Sequence, residues 1–256
     1  MTTYEQPAGW PRAIKGLGSS VPAPLSVRQE LACALRILAH DGWQENVSGH
    51  ITWTRDDVHE LWCNPWGIWW DETCASDIML VTADGAVLEG PWDVTGAVYI
   101  HTELHRVRPD AKVIVHGHPY YATLLGNLGI APEISHQNSC IFDGEIVFVD
   151  EYGGAVDNVD AGVRLAQLIG KASGIVLANH GAIVTGETIA EACYKAVTFE
   201  RMCHFAFDAL VAQRTLRPVA PSMRALLQQQ LRIGCPEVFW HGAVRRLVRA
   251  EPDVLD

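Results

Sequence analysis

The chain reads as an α/β domain. Short β-type runs, broken by Asp, Gly and Pro, are interleaved with stretches whose apolar residues recur at helical spacing. Its 256 residues and 48% apolar content suit one large core, and no repeat, coiled coil or low-complexity segment divides it. Residues 1–25, rich in Pro and Gly, read as an irregular arm, and residues 26–256 as one domain ending in helices.

The first helix is expected to start at Ser26, where Ser26 and Gln29 form a capping box and Val27, Leu31, Ala34, Leu35 and Leu38 share a face; it ends near Asp41-Gly42. HITWTR, ELWCNP, IMLVTA and AVLEG follow as strands. A helix from about Gly96 to Arg108 stops before Pro109, and AKVIVHGHP then reads as a strand. A short helix over 120–127, a strand over 145–150 and a helix over 157–168 come next. GIVLANHGAIVTG is read as two strands turning at His180-Gly181. The strongest helix spans Thr188 to Gln213, with a Thr188/Glu191 capping box, and two more cover 221–232 and 236–249.

Nineteen basic against thirty acidic residues give a net charge of −11, which excludes the basic footprint of a nucleic-acid or anionic-membrane partner. The first thirty residues hold no apolar signal core, and no later run approaches the ~18 apolar residues of a bilayer span, so a soluble cytoplasmic protein is expected. Seven cysteines without a CxxC pair suggest reduced, mostly buried thiols. GxGxxG, GxxxxGK[ST] and GxSxG are all missing, which removes dinucleotide, P-loop and α/β-hydrolase readings.

The histidines carry the remaining chemistry. Alternate residues of a strand point the same way, ~6.5–7 Å apart, so His116 and His118 can aim both imidazoles at one cation. Gly117 removes a side chain from the opposite face, where Val113 and Val115 lie, while Ile114 shares the face of the histidines. His180, in Asn179-His180-Gly181 at the end of another apolar strand, is the candidate third ligand. Three neutral imidazoles with open positions describe a catalytic metal site rather than a structural one. His101 and His105 share a helix face and are assigned packing or surface roles; His50, His204 and His241 are read as core or interface residues. His136, in Ser135-His136-Gln137-Asn138, is either an ordinary loop residue or one wall of a pocket.

In order along the chain, NVSGHITW (46–53), NPWGIWWDETCASDIMLV (64–81), IHTELHRVRPDAKVIVHGHP (100–119) and LANHGAIVTGETIAEAC (177–193) resemble the class II aldolase and adducin family, over about residues 26–215. The resemblance implies a three-layer α/β/α fold with a mostly antiparallel, roughly nine-stranded central sheet. It also implies a homotetramer with active sites between subunits and a small-molecule substrate. The metal ligands of that family match His116, His118 and His180, and the cofactor is then one divalent ion, Zn, Mn, Fe or Co. The same alignment offers Asn46, Ser48, Trp66, Gly67, Thr95 and Gln137 as substrate-binding residues.

Two departures shape the functional reading. The sugar-phosphate aldolases carry a catalytic glutamate where this chain has Ala97. Their phosphate cradle is altered as well: a Thr-Gly matches Trp66-Gly67 and a Ser-Ser matches Thr95-Gly96, which removes hydroxyl donors that a phosphate needs. Trp62, Trp66, Trp69 and Trp70 cluster there instead, as an aromatic ligand edge or as core. The resulting expectation is a metal-dependent lyase, decarboxylase or aldolase in type, for an unphosphorylated oxo- or hydroxy-carboxylate, aromatic if the tryptophans form a ligand edge. The resemblance leaves two alternatives: a non-haem Fe(II) oxygenase performing oxidative decarboxylation, and a non-catalytic adducin-like module. With Ala97 in the glutamate's place, His136 is the candidate for proton transfer.

Overall fold

The structure, a computed structural model, describes residues 24–54, 59–151, 154 and 156–256. Most of the expected N-terminal arm, and Arg55 of the first strand run, lie outside these residues.

Helix α1 (Val27–His40) opens on the expected box: Ser26 Oγ accepts from the Gln29 amide and the Gln29 side chain accepts from the Ser26 amide. Strands β1 (His50–Trp53), β2 (Glu60–Cys63), β3 (Met79–Thr82) and β4 (Val87–Glu89) form a meander. A 3₁₀ turn at Gly96–Val98 leads into α2 (Tyr99–Val107), then β5 (Val113–Gly117) and α3 (Tyr120–Leu128). Next come β6 (Ile146–Val149), α4 (Val159–Ile169), β7 (Gly174–Leu177) and β8 (Gly181–Gly186). Helices α5 (Ile189–Val211), α6 (Pro221–Arg232) and α7 (Cys235–Ala250) close the chain.

Among the described residues the sheet has eight strands, not nine, in the order β4-β3-β2-β1-β5-β8-β7-β6. Every pairing is antiparallel except β6 with β7. That exception follows from α4, which crosses over between the two strands.

Strand alternation divides the core into the two faces of a three-layer fold. Val113 and Val115 of β5 pack in the cluster that includes Leu31, Leu35, Phe199 and Val244, from α1, α5 and α7. Ile114 packs on the other side with Ile100, Leu104, Leu165 and Ile169 of α2 and α4. His116 has the parity of Ile114, so it points into the α2/α4 layer. Buried Arg36 ties α1 to the C-terminus through Glu251 (3.1 Å), Asp253 (2.8 Å) and the Thr73 carbonyl (2.9 Å).

The Thr188 cap of α5 is present, but the reciprocal half of its box is not: the Glu191 carboxylate accepts the amide of Glu187 and pairs with Lys195. All seven cysteines are free, five of them buried. No helix among the described residues is long and apolar enough to cross a membrane.

Candidate metal centre

The centre forms where β5 and β8 end beside each other. His118 follows β5 and precedes Pro119, the N-cap of α3, while His180 sits in the turn from β7 to β8. Asn179 takes the left-handed conformation there, at φ 55°. Pairing of Gly117 with Ala182 sets the start of β8 against the histidine strand, and this non-local register joins the two halves of the site. Ring centroids of His116 lie 5.4 Å from His118 and 4.9 Å from His180, and His118 and His180 are 5.1 Å apart. One ligand nitrogen from each ring lies within 4.8 Å of the others.

Hydrogen bonding sets the protonation of two rings. His116 Nδ1–H donates to the Ala182 carbonyl at 3.0 Å, and His118 Nδ1–H to Glu45 Oε2 at 2.7 Å. Those oxygens accept, so Nδ1 carries a proton in each ring and Nε2 is the nitrogen left to face a cation. His118 Nε2 is buried with no partner. Burial, then the neighbouring histidines, holds His116 well below the ordinary imidazole range, and burial followed by His118 takes His180 to about 4. Three convergent imidazoles, two of them held by a bond from Nδ1 and one with a buried Nε2 that has no partner, fit a divalent cation. Bound there, such an ion would supply Lewis acidity, polarising a carbonyl or hydroxyl oxygen and stabilising negative charge that develops on it.

Behind the triad is a second histidine layer. His105 Nδ1–H donates to the Ala111 carbonyl (2.7 Å), which leaves His105 Nε2 to accept from Thr52 Oγ1 (2.7 Å). Thr52 Oγ1 in turn accepts from His101 Nδ1 at 2.8 Å. His101 stacks on His50 with centroids 3.9 Å apart, and His50 meets the edge of His116 at 5.5 Å. Burial first, then neighbouring histidines, lowers His50 to about 3; burial lowers His105 to about 4. Packing or surface roles were expected for His101 and His105 and a core or interface role for His50; all three are buried. Their assembly against the triad was not foreseen, because β1 pairs His50 with His116 through the sheet. Glu45 was missed too; it precedes the NVSGH motif, but only the folded register brings it to His118.

The other candidates have local structural partners. Asn46, at φ 47°, accepts from both the amide and the hydroxyl of Ser48, so the pair builds the turn that carries Glu45. Trp66 is 59% exposed and bonds through its amide to the Asp93 carbonyl; Gly67 next to it has φ 90°. Thr95 Oγ1 accepts the Ala97 amide as a cap. Trp70 is core, and Trp62 lies under the Arg28 guanidinium at 4.6 Å, so the tryptophan segment is half structural, half exposed.

His136 and Gln137 follow Ile134, which belongs to the α5 side of the core, and the His136 ring packs edge-on against Phe205 at 5.2 Å. Within one chain they do not join the triad cluster. Both His136 nitrogens are buried without partners, and burial followed by Arg201 lowers its pKa, so near pH 7 it is a neutral imidazole and not a ready acid.

Comparison with known proteins gives this geometry its context. The chain is 31% identical over 178 residues to decarboxylase NovR of Streptomyces niveus, covering 68% of this chain and 66% of that protein. It is 30% identical over 205 residues to a 4-hydroxy-3-prenylphenylpyruvate oxygenase/4-hydroxy-3-prenylbenzoate synthase of Streptomyces roseochromogenus subsp. oscitans, covering 78% and 73%. Among solved structures, an L-fuculose 1-phosphate aldolase from Glaciozyma antarctica shares the fold at TM-score 0.79 and 24% identity, over 90% of this chain and 91% of that one. The family model described as class II aldolase and adducin N-terminal domain matches residues 29–207, well over half the sequence, and the chain therefore belongs to that family.

Proposed function

We propose that the protein is a divalent-metal-dependent carbon–carbon lyase that cleaves an unphosphorylated oxo- or hydroxy-carboxylate, aromatic in the favoured case, by decarboxylation or retro-aldol cleavage. The observation that carries this reading is the convergence of three imidazole nitrogens within 4.8 Å, two of them fixed as Nε2 donors. His116, His118 and His180 hold the ion, and Glu45 and the Ala182 carbonyl keep their rings oriented. Ala97 in place of the aldolase glutamate favours decarboxylation, in which loss of carbon dioxide needs an electron sink but no base at carbon. Similarity to a protein named a decarboxylase supports the same choice.

Substrate contacts are assigned to Asn46, Ser48, Trp66, Gly67, Thr95 and Gln137, with the exposed Trp66 indole as the aromatic surface. His136 is assigned the proton transfer. The ring is neutral and both its nitrogens are buried, so the role requires the ring to be uncovered on assembly, where it would serve a neighbouring subunit of a homotetramer. Exposed Phe205, Leu210 and Val211 on α5 supply apolar surface for that assembly, whereas Trp240 of α7 is core. A cytoplasmic setting suits the free thiols.

The test is turnover of a panel of aromatic and aliphatic 2-oxo and 2-hydroxy acids by protein loaded with Zn, Mn, Fe or Co, with and without oxygen. Metal-dependent carbon dioxide or aldehyde release without oxygen supports the lyase. Turnover that requires Fe and oxygen moves the assignment to the oxygenase reading, which the similarity to the prenylphenylpyruvate oxygenase favours. No metal uptake and no turnover leaves the adducin-like module. His136→Ala should keep its metal and lose most turnover, and mixing it with His116→Ala should restore part of the activity through hybrid tetramers. Near-full activity of His136→Ala removes it from the mechanism.

A further inference from the structure

His180 belongs to the wall of a second feature, a cavity of about 60 Å³ between α4 and the end of β7. Leu165, Leu168 and Leu177 make it apolar, and Arg164 is the one cationic residue of its lining. Arg164 is exposed at the rim and forms no hydrogen bond or ion pair with any described residue; unlike Arg28, Arg36 and Arg108, which are tied to carboxylates, it stands beside a cavity that also reaches a histidine of the metal cluster. Glu151 also lines the cavity, yet it lies beyond ion-pair distance of Arg164. An apolar recess with a cationic side chain at its rim and a metal-ligand histidine in its wall suits an anion carried on carbon. A guanidinium presents a planar fork that matches both oxygens of a carboxylate. The volume admits a carboxylate and the carbon or two beside it, since a water needs roughly 10–15 Å³ on this scale. A larger aromatic group must therefore lie outside the recess.

We propose that Arg164 anchors a carboxylate of the substrate in this recess, next to His180, and that this carboxylate is retained in the product. Retention follows from electrostatics. Ion pairing stabilises a carboxylate relative to neutral carbon dioxide, so a carboxylate clamped by Arg164 is a poor leaving group. If the reaction is a decarboxylation, the substrate is thus a dicarboxylate that keeps the anchored group; if it is a retro-aldol cleavage, the 2-oxo acid product keeps it. This proposal rests on the metal-dependent lyase reading, and its test separates the two.

Pyruvate and its neutral analogue pyruvamide are titrated calorimetrically into Mn(II)-loaded and metal-free protein, for the wild type, Arg164→Gln, Arg164→Lys and Glu151→Gln, with metal content measured for each. Wild type should favour pyruvate over pyruvamide, and Arg164→Gln should weaken pyruvate by roughly 10- to 100-fold, the size of a charge-assisted hydrogen bond. The same substitution should leave pyruvamide affinity and metal content unchanged. Arg164→Lys should recover part of the loss, and Glu151→Gln should tighten pyruvate or leave it unaltered. Pyruvate affinity within twofold of wild type in Arg164→Gln, or no pyruvate binding to wild type, overturns the anchor. Binding that depends on Arg164 but not on metal would support the anchor while counting against the metal-dependent lyase.

Discussion

Replacing Gly181 with alanine adds one methyl group where β8 begins, and there is no room for it. An ideal Cβ there would overlap the Gly117 carbonyl oxygen and would lie 2.7 Å from His118 Cδ2. Ordinary contact starts at 3.4 Å, so the His118 ring must retreat by 3.4 − 2.7 = 0.7 Å, or the two strands must part by more. Metal–ligand distances tolerate only about ±0.2 Å, so a shift of that size takes His118 out of range of an ion held by the other two rings. Metal affinity should fall by at least about 100-fold although no ligand or partner of a ligand has been changed. Overpacking should cost about 1–3 kcal/mol of stability, which corresponds to a melting temperature lower by about 2–12 °C in a chain of this size. Chelator competition reads the affinity, and melting in excess EDTA reads the fold separately. Affinity within twofold of wild type would refute the assigned β5–β8 geometry at the centre.

Further expectations concern groups around the site. Glu45→Ala removes the oxygen that orients His118 and should weaken metal binding by about 10-fold, measured by the same competition; an unchanged affinity would make that bond incidental. Glu200 accepts the amides of Tyr121 and Ala122 at the start of α3, yet burial pushes its pKa up to about 7. A carboxyl group that holds its proton more tightly when folded stabilises least once ionised. Stability should therefore fall as pH rises from 4.5 through 7, by up to about 3 kcal/mol from this group, with Asp41, raised to about 6, adding in the same direction. Denaturant titrations from pH 5 to 8 should show a shallower slope for Glu200→Gln, and an equal slope would place the proton uptake elsewhere. Arg36→Ala should cost about 1–3 kcal/mol, chiefly by leaving the Thr73 carbonyl without its donor and emptying the space of the buried side chain, since Glu251 and Asp253 keep access to water; a loss under about 0.5 kcal/mol, the scatter of a surface substitution, would show that solvent replaces these contacts.

Local signals in the sequence were sufficient for most elements. The Ser26/Gln29 box, the Asp41-Gly42 stop and the alternation through Val113, Ile114 and Val115 each depend on neighbours within a few residues, and each appears as expected. His116 and His118 were legible for the same reason, and His180 through its own strand-end motif. What needed the fold was register. Nothing near His50 says that it will face His116, and nothing near Glu45 says that it will reach His118, since both contacts exist only once β1, β5 and β8 are aligned. Thr52, His101 and His105 likewise look like scattered residues until α2 is laid across β1. Strand count was inherited from the resemblance and came out one too high for the described residues, while the reciprocal arm of the Thr188 box was lost to Lys195, whose pairing with Glu191 the motif does not reveal. The pocket holding Arg164 depends on α4 crossing beside His180, which no local pattern indicates.

The central claim is that His116, His118 and His180 hold one catalytic divalent ion, and metal content measured by mass spectrometry tests it most directly. Protein purified without chelator, or stripped and titrated with Zn(II) and Mn(II), should bind close to one ion per chain, and His116→Ala, His118→Ala and His180→Ala should each abolish tight binding while keeping the wild-type circular dichroism. A wild-type chain that takes up neither ion, or alanine variants that retain it at wild-type affinity, would contradict the account.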